Sequence, residues 1–220
     1  MTALPKLPRP TAVLWDLDGT LIDQTQGIVR GFREVVRALG HPEPDEATIR
    51  RSMGGTMSET MGLLVPEDEI TTACQRFRAR FPEIMFEGMR VLSGGRQLVE
   101  RFSDARIPQA ILTNKHGETA RQVSRYAGFA KHISVCIGNA DTDFDKPDPE
   151  LTRSVLRRLG VSAKDVCLIG DSPTDILTAH NAGLTAYTVA TGAYSLEELT
   201  AAGAEATFSH LGELDRAFAL

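Results

Sequence analysis

Cysteine is scarce in this 220-residue sequence, which contains only Cys74, Cys136 and Cys167. Their number is odd, they lie far apart, and no CxxC pair occurs. Neither a disulfide framework nor a zinc knuckle is therefore predicted. We expect three reduced thiols, mostly buried.

Long apolar runs and an excess of basic charge are also missing. No run approaches the length of a membrane span, and the prolines of Met1–Pro10 leave no room for the apolar centre of a signal peptide. The 24 Lys and Arg residues mix evenly with 29 Asp and Glu, for a net charge of -5, so no stripe for nucleic acid or patch for a membrane surface stands out. These absences predict a cytoplasmic protein that acts on a small diffusible molecule. A monomer or a homodimer is expected.

What the sequence does contain is an alternation of apolar and amphipathic segments, in a chain that is 42% hydrophobic. Strands are predicted at Ala12–Trp15, Gln109–Leu112, Ile133–Ile137, Val166–Ile169, Thr185–Val189 and Ala206–Phe208. Helices are predicted at Gly94–Ala105, His116–Tyr126, Pro149–Leu159, Thr174–Ala182 and Leu196–Ala202. This alternation is typical of an α/β fold with a parallel sheet.

One long stretch interrupts the alternation. Between Asp23 and Met89 no strand is evident, and apolar residues from Ile28 to Leu39 recur at the spacing of one buried helix face. We therefore predict an all-helical insertion after the first strand.

Two carboxylates follow the first predicted strand. The apolar run ends in Asp16 and Asp18, and Gly19 allows a tight exit from the strand. Ligand sites in open α/β sheets lie at the carboxyl ends of parallel strands. Two acids at that edge indicate chemistry with a metal and a phosphate.

Polar side chains also follow the next three strands. Thr113 and Asn114 come after the second strand, beside a helix N-terminus that suits an anion. Lys146 lies in the loop after the third strand, and Asp171 and Asp175 follow the fourth. Each residue alone is explained as well by a helix cap, a turn or a solvated charge. Their coincidence at successive strand ends favours a site.

Together these residues resemble the four ordered motifs of the haloacid dehalogenase-like superfamily of phosphohydrolases. The matching residues are Asp16-x-Asp18-Gly19-Thr20, Thr113-Asn114, Lys146-Pro147 and Gly170-Asp171-x-x-x-Asp175. The resemblance implies a Rossmann-like catalytic core over residues 1–22 and 90–220, with helices on both faces of the sheet. It also implies a helical cap domain over residues 23–89. Asp18–Asp23 and the tail from Ser195 look most like phosphoglycolate phosphatases.

This resemblance implies a Mg²⁺-dependent phosphatase. Asp16 would be the nucleophile that forms an aspartyl-phosphate, and Asp18 would be the general acid and then the general base. A carboxylate that attacks a phosphate dianion needs nearby positive charge. Mg²⁺ would be held by the carboxylates of Asp16 and Asp171 and the backbone carbonyl of Asp18, with Asp175 completing or orienting its ligands.

The remaining motif residues would bind the substrate. Lys146 would pair with the phosphate and with Asp16, while Thr113 and the backbone N–H of Asn114 would contact phosphate oxygens. Gly19 is counted with these substrate-binding residues. Lys115 is a rival for the role of Lys146, because it directly follows the second motif.

Other reactions of this superfamily are compatible to different degrees. A β-phosphoglucomutase-like enzyme would share all four motifs, and it stays open, although Thr20 after Gly19 favours a phosphatase. Asp18 argues against a dehalogenase, which needs no acid for a halide. No Lys lies between Lys6 and Lys115, so a phosphonatase lacks its Schiff-base lysine. A non-catalytic scaffold is disfavoured because no motif residue is missing.

The substrate depends on the insertion. The turn Arg50–Thr56 lies where related caps carry a specificity loop. The alternative interpretation of this turn is a simple connection between two helices, with its arginines exposed to solvent. Val91-Leu92-Ser93 stands where the family often has a Pro-Gly-Val-like turn. The identity of the substrate as phosphoglycolate is therefore left open. His116 and His180 receive no catalytic role.

Overall fold

A six-stranded parallel sheet lies at the centre of the computed structural model, which describes residues 4–220. The strands in chain order are β1 (Ala12–Trp15), β2 (Ile22–Asp23), β3 (Arg90–Val91), β4 (Gln109–His116), β5 (Val135–Asn139), β6 (Val166–Gly170), β7 (Thr185–Val189) and β8 (Ala206–Phe208). The sheet order is β5-β4-β1-β6-β7-β8, and every pairing within it is parallel. The predicted α/β class is confirmed.

Helices cover both faces of this sheet. They are α1 (Thr25–Ala38), α2 (Glu46–Ser52), α3 (Met57–Gly62), α4 (Ile70–Ile84), α5 (Gly95–Asp104), α6 (Gly117–Ala127), α7 (Pro149–Leu159), α8 (Pro173–Asn181), α9 (Leu196–Ala201) and α10 (Leu211–Ala217). Buried side chains of α5, α6 and α10 form one core with one face of the sheet, and those of α7, α8 and α9 form a second core on the other. Because β1 is apolar along its whole length, it can be buried between the two layers.

The insertion between β2 and β3 has a third core of its own. It consists of α1 to α4 and a short 3-10 helix at Glu67–Glu69. The ring of Phe77 lies 4.6 Å from that of Phe32 and 4.9 Å from that of Phe81, measured between centroids. The buried face predicted between Ile28 and Leu39 is present in α1, although Leu39 is only partly buried.

A short pair of strands that was not predicted lies where the insertion joins the core. Ile22 pairs with Val91 and Asp23 with Arg90 in a two-stranded antiparallel sheet, where no strand was predicted. A strand of two residues carries too little of the two-residue alternation to be recognised in a sequence.

Two strand boundaries were also wrong. β4 runs through to His116 rather than ending at Leu112, with a shift of register between those residues. The polar residues after Leu112 end the apolar run, but backbone pairing with β5 resumes at Asn139. β5 itself lies two residues later than predicted.

The three cysteines are free, and Cys74 and Cys167 are buried. Burial raises the thiol pKa of Cys167, and it raises that of the partly buried Cys136 to about 11. Within residues 4–220, no helix has the length and hydrophobicity needed to cross a membrane. The segment Met1–Pro10, discussed above for signal peptides, lies partly outside the described residues.

Candidate active site

The nucleophile candidate Asp16 directly follows β1 at the carboxyl edge of the sheet. Its backbone N–H donates to the carbonyl of Ile169 at 2.9 Å, which continues the pairing with β6. Only 6% of the residue is exposed. Its Oδ1 atom accepts a hydrogen bond of 2.6 Å from the ammonium of Lys146.

Lys146 joins two of the carboxylates. Its Nζ atom also donates to Oδ1 of Asp175 at 2.6 Å, and the side chain is almost fully buried. Burial alone would lower the pKa of Lys146, but the charges of Asp16 and Asp175 outweigh that effect and raise it. The ammonium is therefore charged. Lys115, the rival candidate, does not make this contact with Asp16.

Asn114 holds the backbone at Lys146. Its Oδ1 atom accepts from the N–H of Lys146 at 2.8 Å, and its Nδ2 atom donates to the Lys146 carbonyl at 3.3 Å. The same Nδ2 atom lies 3.3 Å from the carbonyl oxygen of Gly54 in the insertion. Sequence reasoning assigned only the backbone N–H of Asn114, whereas its side chain ties together three segments of the chain.

Asp175 lies in the first turn of α8, where its side chain is fully engaged. Its Oδ2 atom accepts from the hydroxyl of Ser172 at 2.6 Å and from the backbone N–H groups of Asp171 and Ser172. Ser172 in turn caps the helix, which completes a capping box. Asp175 thus orients Lys146 and the turn after β6.

Asp171 comes directly after β6 and faces two glycines. Its Oδ1 atom accepts from the hydroxyl of Thr20 at 2.9 Å. A Cβ atom placed on Gly19 would lie 2.4 Å from Oδ2 of Asp171, and one on Gly192 would lie 1.7 Å from it. Only residues without a side chain fit at these two positions. Sequence reasoning missed Thr20 and Gly192 as neighbours of this carboxylate.

Negative charge accumulates at this strand edge. Burial raises the pKa of Asp16 to about 7, assisted by the charges of Asp175 and Asp18 and opposed by Lys146. Burial and the charges of Asp16 and Asp175 also raise the pKa of Asp171 well above its usual range. The cation of Lys146 does not compensate for all of these carboxylates.

The donor set fits a hard divalent cation. Carboxylate oxygens of Asp16, Asp171 and Asp175 lie within 4.8 Å of one another, and all three residues are buried. Mg²⁺ prefers oxygen ligands and binds through one or two carboxylates with its remaining positions filled by water. Because Asp175 is already bonded to Lys146 and Ser172, Asp16 and Asp171 are the carboxylates best placed to be ligands.

Asp18 is paired with a cation. Its Oδ2 atom accepts a hydrogen bond of 2.8 Å from the ammonium of Lys115. Both side chains are about nine-tenths buried. Within residues 4–220, Oδ1 of Asp18 has no hydrogen-bond partner. A carboxylate with one oxygen fixed and the other unpaired suits a group that exchanges a proton with a ligand.

Thr113, Gly19 and the two histidines occupy separate positions. Thr113 is buried within β4, and its Oγ1 atom accepts from the N–H of Lys115 at 3.3 Å. Gly19 has a φ of 89°, and its carbonyl accepts from Thr191. His116 lines the cavity described below, whereas His180 pairs with Glu205 on the surface.

A cavity of about 220 Å³ lies between the insertion and the strand edge. Asp16, Asp18, Thr113 and Lys146 line its sheet side, and α1 and α4 line the other side. A phosphate ester in this cavity would contact the catalytic candidates and the insertion together.

The turn Arg50–Thr56 contacts the core. Gly54 approaches so closely that a Cβ atom there would lie 2.9 Å from Oγ of Ser172. Arg51 pairs with Glu198 of α9 at 2.7 Å, and its guanidinium lies 4.8 Å from the centroid of the Tyr194 ring. Arg51 thus contacts the core although about half of its side chain stays exposed to solvent. Arg50 contacts only Glu46 of its own helix among its possible carboxylate partners in the described part of the chain.

Comparison with known proteins agrees with this geometry. The family model described as haloacid dehalogenase-like hydrolase matches residues 13–189. A phosphoglycolate phosphatase from Rhodospirillum rubrum is 32% identical over 220 residues, which cover 93% of this chain and 89% of that protein. A 5'-nucleotidase from Pseudomonas aeruginosa is 30% identical, with 86% of each chain covered.

A solved structure has the same fold. The crystal structure of a protein from Bacteroides fragilis, described as a haloacid dehalogenase-like hydrolase, superposes with a TM-score of 0.88 at 26% identity. The match covers 94% of this chain and 100% of that one. The matched family model spans β1 to β7 and thus includes every candidate catalytic residue described above. This chain belongs to the haloacid dehalogenase-like hydrolase family.

Proposed function

We propose that this protein hydrolyses a small phosphomonoester in a Mg²⁺-dependent reaction that proceeds through an aspartyl-phosphate on Asp16. The observation that carries the proposal is the buried contact of Lys146 with both Asp16 and Asp175, beside Asp171. Membership of the family and the phosphatases among its relatives identify the chain as a phosphatase of small phosphate esters. The metal, the intermediate and the substrate are the parts that experiments must test.

The first step transfers the phosphoryl group to Asp16. Lys146 holds Oδ1 of that carboxylate, so the other oxygen is left to attack phosphorus. The bond from phosphorus to the leaving oxygen breaks, and the leaving oxygen takes a proton from Asp18. Mg²⁺, held by Asp16 and Asp171 with the backbone carbonyl of Asp18, would supply the positive charge that allows a carboxylate to approach a phosphate dianion.

The second step returns the enzyme to its initial state. Asp18 takes a proton from water, and the water oxygen attacks phosphorus and releases Asp16. Lys115 keeps the Asp18 carboxyl group in position through Oδ2, and Oδ1 is the oxygen left for proton transfer. Thr113 and the backbone N–H of Asn114 would bind phosphate oxygens in both steps, beside Gly19 at the turn after Asp18.

The relatives agree on the bond that is broken and differ in the leaving group. Their names include phosphoglycolate phosphatase, 5'-nucleotidase and N-acetylmuramic acid 6-phosphate phosphatase. Phosphoglycolate therefore stays a prediction for this chain. The proposed partner is a small phosphate ester in the cytoplasm, with no nucleic acid or membrane partner, and the chain acts as a monomer or homodimer.

The test measures release of inorganic phosphate from phosphoglycolate, sugar phosphates, nucleoside monophosphates and pyrophosphate, with Mg²⁺ or with a chelator. We expect release that needs Mg²⁺, is lost in Asp16→Asn and is retained in Asp104→Asn. Asp104 is an exposed carboxylate at the end of α5, so its variant controls for the loss of one charge.

Trapping of the intermediate completes this test. Mass spectrometry of acid-quenched enzyme should locate a phosphoryl group on the peptide containing Asp16. Absence of phosphate release from every compound, with folded protein and Mg²⁺ present, would contradict the proposed function. Phosphoryl transfer to a sugar in preference to water would instead indicate the mutase.

A further inference from the structure

The two sides of the cavity differ in chemical character. The sheet side presents the carboxylates, the hydroxyl and the ammonium described above. The side formed by the insertion is mainly apolar, with Ile28, Phe32, Met53, Met57, Phe77 and Phe81, and Thr60 and Arg78 are its polar side chains. With the phosphate held at the sheet side, a leaving group that extends toward the insertion meets hydrocarbon.

The apolar side is well packed rather than adaptable. Phe32, Phe77 and Phe81 are each 5% exposed, and neighbouring rings lie 4.6 and 4.9 Å apart. They belong to the core of the insertion, so their positions are determined by α1 and α4. Aromatic faces held in this way favour a hydrocarbon or ring over a hydrated anion.

The ammonium groups of the cavity already have partners. Lys146 bonds to Asp16 and Asp175, and Lys115 bonds to Asp18. Among the described residues that line the cavity, Arg78 has the one guanidinium, and it donates to the side-chain oxygen of Asn139 at 3.3 Å. A carboxylate next to the scissile bond, as in phosphoglycolate, would have to compete with Asp18 for Lys115.

The cavity also has room for a leaving group beside the phosphate. At roughly 15 Å³ for each water-sized position, its 220 Å³ corresponds to about fifteen positions, which the substrate would share with the waters of the metal and the attacking water. We propose, building on the phosphatase function above, that the substrate is the phosphomonoester of an alcohol with an apolar aliphatic or aromatic body larger than glycolate. The body would lie against α1 and α4, with the ester oxygen next to Asp18.

A homologous series of substrates tests this proposal. Ethyl, n-propyl, n-butyl and benzyl phosphate have alcohols of similar basicity, so differences in kcat/KM report mainly on contact with the apolar side. We expect kcat/KM to rise about two- to fourfold for each added methylene. Phosphoglycolate should fall below ethyl phosphate. Calorimetric titration with n-butylphosphonate and phosphonoacetate, which are not hydrolysed, should give the same order in Kd.

A matched pair of variants connects the effect to the insertion. Met57 begins α3 and lines the cavity, whereas Leu63 directly follows the same helix, lies outside the cavity and is 66% exposed. Met57→Gln should reduce the gain for each methylene, and Leu63→Gln should leave the series unchanged. Both residues have some exposure to solvent, so both variants are expected to fold.

Three results would overturn the inference. Equal kcat/KM along the alkyl series would show that the alkyl chain does not contact the apolar side of the cavity, although phosphate release would still support the phosphatase function. A preference for phosphoglycolate that disappears in Arg78→Gln would assign recognition of a carboxylate to Arg78 instead. Absence of release from all members would contradict the phosphatase function itself and this inference with it.

Discussion

At the scale of single residues, the buried charge of Asp171 should destabilise the folded protein when no metal is bound. Its carboxylate is buried close to Asp16 and Asp175, and Thr20 is its side-chain hydrogen-bond partner. Replacement by Asn retains an oxygen for Thr20 and removes one negative charge. We expect Asp171→Asn to raise the Tm of the metal-free protein by a few degrees at pH 8.

The same variant should lose the response to metal. Addition of Mg²⁺ should raise the Tm of the natural protein and leave that of Asp171→Asn unchanged, as followed by differential scanning calorimetry. A lower Tm for the metal-free variant would mean that the Asp171 charge is compensated in the folded protein. In that case the carboxylate cluster would not indicate a missing cation.

Asn114 provides a second prediction at this scale. Removal of its side chain frees the backbone at Lys146, and small displacements of a catalytic group are costly. Asn114→Ala should lower kcat about 10- to 100-fold with a smaller effect on KM. Asn181→Ala is the matched control, because the Asn181 side chain donates to the carbonyl of neighbouring Pro147 from an exposed position. Activity of Asn114→Ala equal to that of the unaltered protein would show that the Lys146 backbone does not need this support.

The sequence alone predicted several of these residues and missed others for a physical reason. Asp16, Lys146 and Asp171 could be brought together because each follows a recognisable apolar strand. Lys115 was considered as an alternative to Lys146 beside Asp16. Because β4 continues past Leu112, the side chain of Lys115 instead contacts Asp18. The contacts of Thr20 and Gly192 with Asp171 depend on three separate loops. No pattern within one segment of the sequence predicts contacts between separate loops.

At the scale of elements, the turn after α2 connects the insertion to the core. Arg51 donates to the carbonyl of Ala193 at 3.1 Å, pairs with Glu198 and stacks on Tyr194. The Arg51 contact also lowers the pKa of Glu198 to about 2, so Glu198 stays ionised at any usual assay pH. A single exposed ion pair contributes little, but three contacts on one guanidinium together help to hold the insertion against the core.

Weakening this contact should affect binding more than chemistry. We expect Arg51→Gln to raise KM about two- to fivefold with kcat nearly unchanged, since one exposed pair contributes about 0–1 kcal/mol. Arg50→Gln removes a neighbouring arginine whose carboxylate partner lies within α2, and it should leave KM as it is. Measurement of the KM of both variants for one substrate, at low and at high salt, checks this difference. A kcat loss in Arg51→Gln without a change in KM would contradict the expected role.

The elements themselves were predicted unevenly. β1, β7 and β8 agree with the prediction to the residue, because each is an apolar segment bounded by turn or polar residues. β2 and β3 could not be predicted, since a strand of two residues shows too little of the two-residue alternation. α1 was predictable from its apolar face. The packing of α1 against α4, which sets the shape of the cavity, was not.

At the scale of the whole molecule, metal binding and stability should be linked through pH. Burial raises the pKa of Asp16 to about 7, above its value of about 3.9 in the unfolded chain. A raised pKa contributes stability that is present below the unfolded value and is lost as pH rises through the folded value. The metal-free protein should therefore lose stability from this group between about pH 4 and pH 7.

Mg²⁺ should restore that stability, because it binds the ionised carboxylate. The increase in Tm on adding Mg²⁺ should be larger at pH 8 than at pH 5, where protons compete for Asp16. Calorimetric titrations in buffers of different ionisation enthalpy should also show release of protons on binding near pH 7. An increase in Tm that is the same at both values of pH would contradict a ligand role for Asp16.

The short β2 and β3 pair has a consequence for how such a protein can change over generations. Because Ile22 and Val91 are backbone neighbours, the chain leaves the core and returns to it at almost the same point. Everything between them could be lengthened, shortened or exchanged for a foreign segment while the six parallel strands keep their register. A change of the segment between these two strands would alter the residues that contact the substrate, while the residues at the ends of the parallel strands stay in place.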